Sequence, residues 1–188
     1  AAAAAVALGR IATEPAAAAL EAALPQAPAT LRPALLDACL TCGSRLSETG
    51  HERRAQALFD RLLGLDVAPG VRAAALRGAI VSRGTDGVPL LLEHLRGTDA
   101  GGASTAFWVA QHDLPGGEVT SALAAALPSV PAERQGALVA VLCARGDSAA
   151  LTAVTGLARG TDKALRLAAL RGLGRFAAAP AVPPLLLD

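Results

Sequence analysis

Apolar residues recur along this chain at the spacing of amphipathic helices, and the whole pattern then repeats. The clearest helix has apolar residues at Ala75, Leu76, Ala79 and Ile80. Residues spaced by three and four lie on one face of an α-helix, so we expect this face to be buried. Equivalent anchor positions, separated by 31, 40, 31, 31 and 32 residues, are Ala5, Leu36, Leu76, Phe107, Leu138 and Leu170.

A fixed period of this size predicts a stack of two-helix units, each of which buries its apolar face against its neighbours. The predicted helices span residues 1–12 and 15–24, 31–43 and 51–64, 71–82 and 87–96, 103–111 and 117–127, 132–145 and 148–159, and 163–176 and 180–188. The repeats are 1–28, 29–68, 69–100, 101–131, 132–162 and 163–188, in a single domain of residues 1–188. The 40-residue step indicates an insertion around residues 44–50.

The turns between predicted helices repeat as well. Arg-Gly-Thr-Asp occurs at residues 83–86, 96–99 and 159–162, and residues 145–147 are a shortened Arg-Gly-Asp. An arginine is favourable at a helix C-terminus, glycine suits the left-handed cap, and Thr or Asp caps the next helix. Arg-Gly-Asp also resembles an integrin-binding motif, but its recurrence at helix ends favours the turn interpretation.

Together these features resemble HEAT repeats of the short bacterial type, which also occur in phycobilisome-lyase-like proteins. The resemblance is carried by residues 71–76 with 88–92 and by residues 165–170 with 181–187. It implies an all-α fold, a right-handed α–α superhelix (a HEAT/ARM-like solenoid) of about six two-helix repeats whose last repeat is cut short.

The same resemblance implies a structural ladder, in which an arginine of each first helix meets an aspartate of the preceding turn. The ladder candidates are Arg32, Arg72, Arg134 and Arg166, together with Asp66, Asp99 and Asp162. Ala103 occupies the arginine position of the fourth repeat, so the ladder is expected to be broken there.

Composition and charge restrict the classes of function. Hydrophobic residues make up 53% of the chain but aromatic residues only 2%, with no Tyr and no Met, so the core must form through close contact between Ala, Leu and Val. The formal net charge of +1 lacks the basic excess of a nucleic-acid-binding protein. The chain has no uncharged apolar stretch of about 18 residues, so we expect no membrane insertion.

Cysteine spacing offers one candidate for chemistry. Cys39 and Cys42 form a Cys-x-x-Cys at the predicted end of a helix, without a second pair or a nearby histidine. A redox pair and a metal site are the alternatives, but buried or half-buried small side chains are the favoured interpretation.

Histidines offer no better candidate. His51-Glu52 and Glu93-His94 resemble the His-Glu pairs of a HEAT-like di-iron hydroxylase, but their opposite order favours surface side chains. His112 precedes an aspartate without a positioned nucleophile. No catalytic residue, metal ligand or cofactor is therefore predicted, and the chain is not expected to be an enzyme.

Candidate interaction residues follow from position in the repeat. Trp108 occupies an outward position, whereas Phe107 occupies an anchor and is expected in the core. The second helices carry few charges, which suits apolar helix-in-groove contact or self-association, with a polar exception in the second repeat. The predicted interaction residues are Trp108, Arg53, Arg54, Leu185, Leu186 and Leu187.

The leading interpretation is a non-enzymatic solenoid that binds or scaffolds another protein. Residues 177–187 are free of charge, so we expect a longer solenoid or head-to-tail association with a second copy. An accessory subunit of a bilin lyase or similar maturation enzyme and a nucleic-acid-binding HEAT-like protein are the alternatives. An extracytoplasmic location is weakly favoured, because large secreted or periplasmic bacterial proteins carry such segments.

Overall fold

A computed structural model describes residues 1–176, and this part of the chain is all-α, as predicted. It contains eleven α-helices and short 3₁₀ turns, without a strand in this range. The predicted helix at 180–188 lies outside the described residues. The helices are α1 (Ala2–Ile11), α2 (Glu14–Ala23), α3 (Arg32–Glu48), α4 (Glu52–Leu63), α5 (Pro69–Val81), α6 (Val88–Arg96), α7 (Ala100–His112), α8 (Gly117–Ala126), α9 (Ala132–Arg145), α10 (Ser148–Ala158) and α11 (Lys163–Leu173).

Helix α3 differs most from its predicted bounds, because it continues to Glu48 instead of ending at residue 43. It has 17 residues, and the segment in which the sequence predicts an insertion forms an additional helical turn. Leu46 in this turn is fully buried, which gives the extension an apolar anchor. The helix ends where the Thr49 hydroxyl donates a hydrogen bond to the Arg45 carbonyl oxygen (2.8 Å) and Gly50 adopts a left-handed φ of 81°.

Aspartates begin several helices, as the turn pattern predicts. The Asp99 carboxylate accepts hydrogen bonds from the N–H groups of Gly101 and Gly102 (both 3.0 Å) at the start of α7. Asp147 and Asp162 cap α10 and α11 in the same manner. These bonds satisfy N–H groups that have no partner inside the helix.

The glycines of these turns agree with the prediction only in part. Gly84 and Gly146 have φ values of 55° and 70°, in the left-handed region expected of a cap. Gly97 and Gly160 do not have a positive φ, so the left-handed assignment is wrong at these two positions. The Gly97 N–H instead continues the helical pattern by binding the Glu93 carbonyl oxygen (2.8 Å).

The chain forms two compact units, residues 1–87 and the part that begins at residue 88. In the first unit, α1 packs on α3 and α3 on α5, while α2 packs on α4. In the second unit, α7 packs on α9 and α9 on α11, while α6 packs on α8 and α8 on α10. Each unit therefore has one layer of first helices (α1, α3 and α5; α7, α9 and α11) and one layer of second helices (α2 and α4; α6, α8 and α10).

The anchor positions of the repeat are not all equally buried. Four of them, Ala5, Leu36, Leu76 and Leu138, lie in the core. Phe107 is only half-buried, so its predicted core position is wrong. Its side chain lines the groove described below, together with small residues of α9.

Phe59 shows how this chain builds a core with few large side chains. Its ring is 2% exposed on α4 and lies against Gly43 of α3 and Gly78 of α5. A Cβ atom at position 78 would lie 2.4 Å from Phe59 Cζ, and one at position 43 would lie 2.7 Å from the same atom. The two glycines therefore create the space that the ring fills.

We predict that Gly78→Ala lowers the free energy of unfolding by about 1–3 kcal/mol, because the added methyl group overlaps the Phe59 ring. Gly156→Ala is the matched control, since nothing lies within 4 Å of a Cβ there. It is expected to be neutral or to stabilise by up to about 1 kcal/mol through helix propensity. Urea titrations measure both effects, and a smaller loss for Gly78→Ala in a Phe59→Leu background would identify the ring as the cause.

Candidate functional site

An open groove crosses the first helices of the second unit, α7, α9 and α11, and is called here the α9 groove. Its cavity volume is about 740 Å³, whereas two cavities of the first unit measure about 340 and 210 Å³. Volumes of about 300–1,000 Å³ are typical of binding sites. The lining residues are Ser104, Phe107, Gln111, Gly136, Ala137, Ala140, Val141, Cys143, Ala144, Ala168, Arg171 and Gly172.

Small side chains of α9 form the floor of the groove. Gly136, Ala137 and Ala140 are exposed, and Ala144 continues the same face by one further turn. Helix axes approach more closely where the side chains between them are small. The floor therefore offers an incoming helix a shallow apolar surface on which its backbone can lie close to α9.

The two walls of the groove differ in character. On α7 the half-buried Phe107 ring lies between the polar side chains of Ser104 and Gln111. On α11 the wall consists of Ala168, Arg171 and Gly172. One wall is therefore aromatic and uncharged, while the other is small and carries a cation.

Glycine at position 172 sets how closely α11 approaches α9. A Cβ atom there would lie 2.0 Å from Cys143 Sγ, far inside any acceptable contact. Cys143 is 3% exposed and lies below the groove surface. Any larger residue at position 172 would thus push the two helices apart and change the width of the groove.

Trp108 lies on the outer side of α7, as expected from its position in the repeat. It is 48% exposed, and its ring stacks on the His112 imidazole with 4.6 Å between ring centroids. The His112 Nδ1–H donates a hydrogen bond to the Trp108 carbonyl oxygen (2.9 Å). Trp108 does not line the α9 groove, whereas its neighbour Phe107 does.

The other predicted interaction residues lie elsewhere. Arg53 is exposed on α4. Arg54 forms a bidentate ion pair with Glu21 of α2, with Nη2–Oε2 and Nη1–Oε1 distances of 2.5 and 3.3 Å. This hydrogen bonding raises the pKa of Arg54, and its guanidinium joins the two second helices of the first unit. Leu185, Leu186 and Leu187 lie outside the described residues.

Ladder arginines bind carbonyl oxygens at the ends of helices. Arg72 donates hydrogen bonds to the carbonyls of Leu63 and Leu65 at 3.0 and 2.9 Å. Arg134 donates to the carbonyls of Leu95 and Gly97 at 3.2 and 2.6 Å. These carbonyls lie in the last turn of a helix or just after it, where the helix provides no N–H partner, so a guanidinium satisfies them and complements the helix dipole.

The remaining ladder residues take different positions. Arg32 donates to the backbone carbonyl oxygen of Asp66 at 3.4 Å, and Arg166 is exposed on α11. The carboxylates of Asp99 and Asp162 bind backbone N–H groups as helix caps. Arg72 and Arg134 thus bind at the C-terminal ends of helices. Asp99 and Asp162 bind at N-terminal ends, whereas the resemblance implies contact between arginines and aspartates.

Arg145 forms the most extensive polar network in the described part of the second unit. Its Nη1 donates to the carbonyl oxygens of Ala110 and Leu114, and its Nη2 donates to that of Gly116 (2.9 Å). Its Nε donates to the hydroxyl of the fully buried Thr120 (2.6 Å). One guanidinium on α9 therefore holds the end of α7 and the beginning of α8.

Asp147 completes this network at the start of α10. Its Oδ2 accepts a hydrogen bond from the Thr120 hydroxyl, and its Oδ1 accepts one from the Ala150 N–H (2.9 Å). Burial alone would raise the pKa of the Asp147 carboxyl, but these hydrogen bonds and the nearby Arg145 cation lower it. The Arg-Gly-Asp sequence is thus folded into a helix junction, which agrees with the turn interpretation.

Cys39 and Cys42 lie in the middle of α3, not at its end, because the helix is longer than predicted. Both are fully buried, and burial raises the pKa of the Cys39 thiol to about 12 and also raises that of Cys42. A raised pKa disfavours the thiolate needed for redox chemistry or metal binding. Within residues 1–176, no three His, Cys, Asp or Glu side chains are grouped as metal ligands.

The sequence did not reveal the groove itself. The signal was available in α9, where Gly136, Ala137, Ala140 and Ala144 share one face without a large residue. A face of small residues predicts close helix contact in any case, so its exposure depends on which helices are neighbours. The side chain of Leu167 on α11 is 45% exposed, and this exposure was not predicted for the same reason.

Comparison with known proteins identifies no family. No model of a protein family matches the chain, and no curated protein matches it significantly. Among the described residues, no helix combines the length and apolar character needed to cross a bilayer.

We predict that Arg145→Ala lowers the free energy of unfolding by about 2–4 kcal/mol, because buried carbonyls lose a charged donor. Arg159→Ala is the control, since this arginine ends α10 in the same sequence motif but is exposed, and it should change stability by less than about 0.5 kcal/mol. Denaturant titrations of both variants measure the difference. Equal losses would contradict the network described here.

We predict that the stabilisation provided by Asp147 disappears in acid. Its folded-state pKa lies below the unfolded value of about 3.9, so its contribution is complete above that pH and is lost as the pH falls through the folded-state pKa. The difference in unfolding free energy between the native chain and Asp147→Asn should therefore shrink below about pH 4. Thr120→Val removes one hydrogen-bond donor to Asp147 and should therefore reduce the pH-dependent part of this stability difference. A stability difference that does not change with pH would contradict the stabilising role of the Asp147 carboxylate.

Proposed function

We propose that this chain is a non-enzymatic, HEAT-like helical-repeat protein that binds a helical segment of another protein in the α9 groove. The observation that carries the proposal is the floor of Gly136, Ala137, Ala140 and Ala144, of which the first three are exposed, beside the half-buried Phe107 ring. Amphipathic helices bind to apolar grooves of this kind through residues spaced by three and four.

The repeat architecture supports this proposal. Anchor residues recur at steps close to 31 residues, and within each unit the first and second helices form separate layers. Repeated helix pairs create extended surfaces that are commonly used to bind other proteins. The bound surface would here be formed by the first helices, in contrast to the expectation from the sequence that the second helices provide it.

The chemistry of the lining favours binding over catalysis. Its titratable side chains are Arg171 and Cys143, and the cysteine is buried against Gly172. A general acid or base would require a carboxylate or imidazole within reach of a substrate, and the lining residues include neither. A shallow surface of Ala and Gly instead provides shape complementarity to a helix.

The proposal can be tested with a displayed library of amphipathic helical peptides selected on the purified full chain. We predict that selected peptides lose at least about tenfold in affinity, or about 1.4 kcal/mol, for Ala140→Glu, because the carboxylate lies on the apolar floor. Ala125→Glu is the matched control, since Ala125 is an exposed alanine of α8 that does not line the groove. Thermal unfolding by circular dichroism checks that both variants remain folded.

Two results would contradict this function. Selected peptides that bind the native chain and Ala140→Glu equally well would place the binding surface elsewhere. Equal losses for Ala140→Glu and Ala125→Glu would show that binding depends on general stability or net charge, not on the groove.

A further inference from the structure

Charge is distributed unevenly around the α9 groove. The α7 wall belongs to a helix with no Asp, Glu, Lys or Arg, and the floor residues of α9 are uncharged. The α11 wall belongs to a helix with three basic residues and no acidic residue, and they are Lys163, Arg166 and Arg171. Arg171 is exposed and is the charged residue of the lining.

Arg171 differs from the arginines that hold the second unit together. Arg134 and Arg145 donate hydrogen bonds to helix-end carbonyls, whereas no hydrogen bond or ion pair to Arg171 occurs among the described residues. Asp162, the acidic residue next to α11, caps the opposite end of that helix, where its carboxylate binds the N–H groups of Ala164 and Leu165. Within residues 1–176, a cation without an ion-pair partner thus lies at the edge of an apolar surface.

From this arrangement we infer that the occupant of the α9 groove is an amphipathic helix with small apolar residues on one face and a carboxylate at its edge, which pairs with Arg171. This inference rests on the proposed function and specifies its partner. Guanidinium groups bind carboxylates through two parallel hydrogen bonds, and a contact beside an apolar floor is less screened than one in open solvent. Complementary charge of this kind selects partners and fixes their orientation.

Arg171 also lies in the last turn of α11, where a basic residue complements the helix dipole. That role alone would affect the stability of the chain but not its preference among peptides. Arg171→Lys keeps the charge, while Arg171→Gln removes it and retains a polar side chain of moderate length. A change in the preference between peptides therefore reports recognition, while thermal unfolding of both variants reports the contribution to helix stability.

The test uses two synthetic helical peptides of equal length with the same Ala/Leu face, one with Glu and one with Lys along the edge of that face. Fluorescence anisotropy with the full chain measures their affinities at low and high salt. We predict that the Glu peptide binds at least about tenfold more tightly at low salt, and that high salt reduces this preference. Arg171→Lys should keep the preference, Arg171→Gln should abolish it, and Arg171→Glu should reverse it.

Arg159→Glu provides the matched control, because Arg159 is an exposed arginine that follows α10 and lies outside the lining. It changes the net charge by the same amount as Arg171→Glu and should leave the preference unchanged. If both peptides bind equally and lose affinity with Ala140→Glu, the groove function stands and the acidic partner is wrong. If neither peptide binds, the acidic-helix inference is overturned, while selection from the displayed library tests the groove separately.

Two further arms address other occupants. A short DNA duplex that competes with the Glu peptide at a lower concentration than unlabelled Glu peptide would overturn the inference in favour of nucleic acid. If Leu186→Asp in the full chain raised affinity for the Glu peptide about tenfold, residues 177–188 would be the competing occupant, and the inference of an external partner would be overturned. The inference is supported if the DNA duplex competes no better than unlabelled Glu peptide and if Leu186→Asp leaves the affinity for the Glu peptide unchanged.

Discussion

Close approach between helices that carry few large side chains is the constraint on which both units depend. Only 2% of the residues are aromatic, so the core cannot be filled by large rings. Instead, a Cβ atom at Gly9 would lie 2.8 Å from the Ala38 carbonyl oxygen, which shows that α1 almost touches the backbone of α3. Dispersion contacts between closely packed backbones then replace those that large side chains would provide. The constraint also explains why single methyl groups matter at positions such as 78 and 172.

A second consequence of close packing is that helix ends come within reach of arginine side chains from neighbouring helices. Arg72, Arg134 and Arg145 each satisfy carbonyl oxygens for which the helix itself provides no partner. Because an arginine side chain is long and carries five donors, it can join several segments at one point. These arginine contacts between helices therefore lie at helix ends.

Local sequence patterns predicted most of the fold, since helix periodicity and capping depend on residues that are close along the chain. Apart from α3, the predicted bounds of the described helices agree with the structure to within three residues. The extension of α3 to Glu48 was not predicted, because a polar stretch with one buried residue, Leu46, can extend a helix as readily as form a loop. The caps at Asp99, Asp147 and Asp162 were predictable for the same local reason.

Features that depend on distant residues were not predictable. The partner of Arg54 is Glu21, which is 33 residues away, and the carbonyls that bind Arg145 lie between 29 and 35 residues before it. The α9 groove is the same kind of feature, because the apolar face of α9 is exposed only where α7 and α11 leave a gap. The repeat spacing places Phe107 at an anchor position, yet its side chain is only half-buried and lines the groove beside small residues of α9.

The exposed Trp108 has a consequence for the optical properties of the protein. The chain contains one Trp and no Tyr, so its near-ultraviolet emission comes almost entirely from a single position on α7. The indole stacks on the His112 imidazole, and its neighbour Phe107 lines the α9 groove. Emission from this chain is therefore a local signal from the α7 side of the second unit, which can be read without attaching a dye.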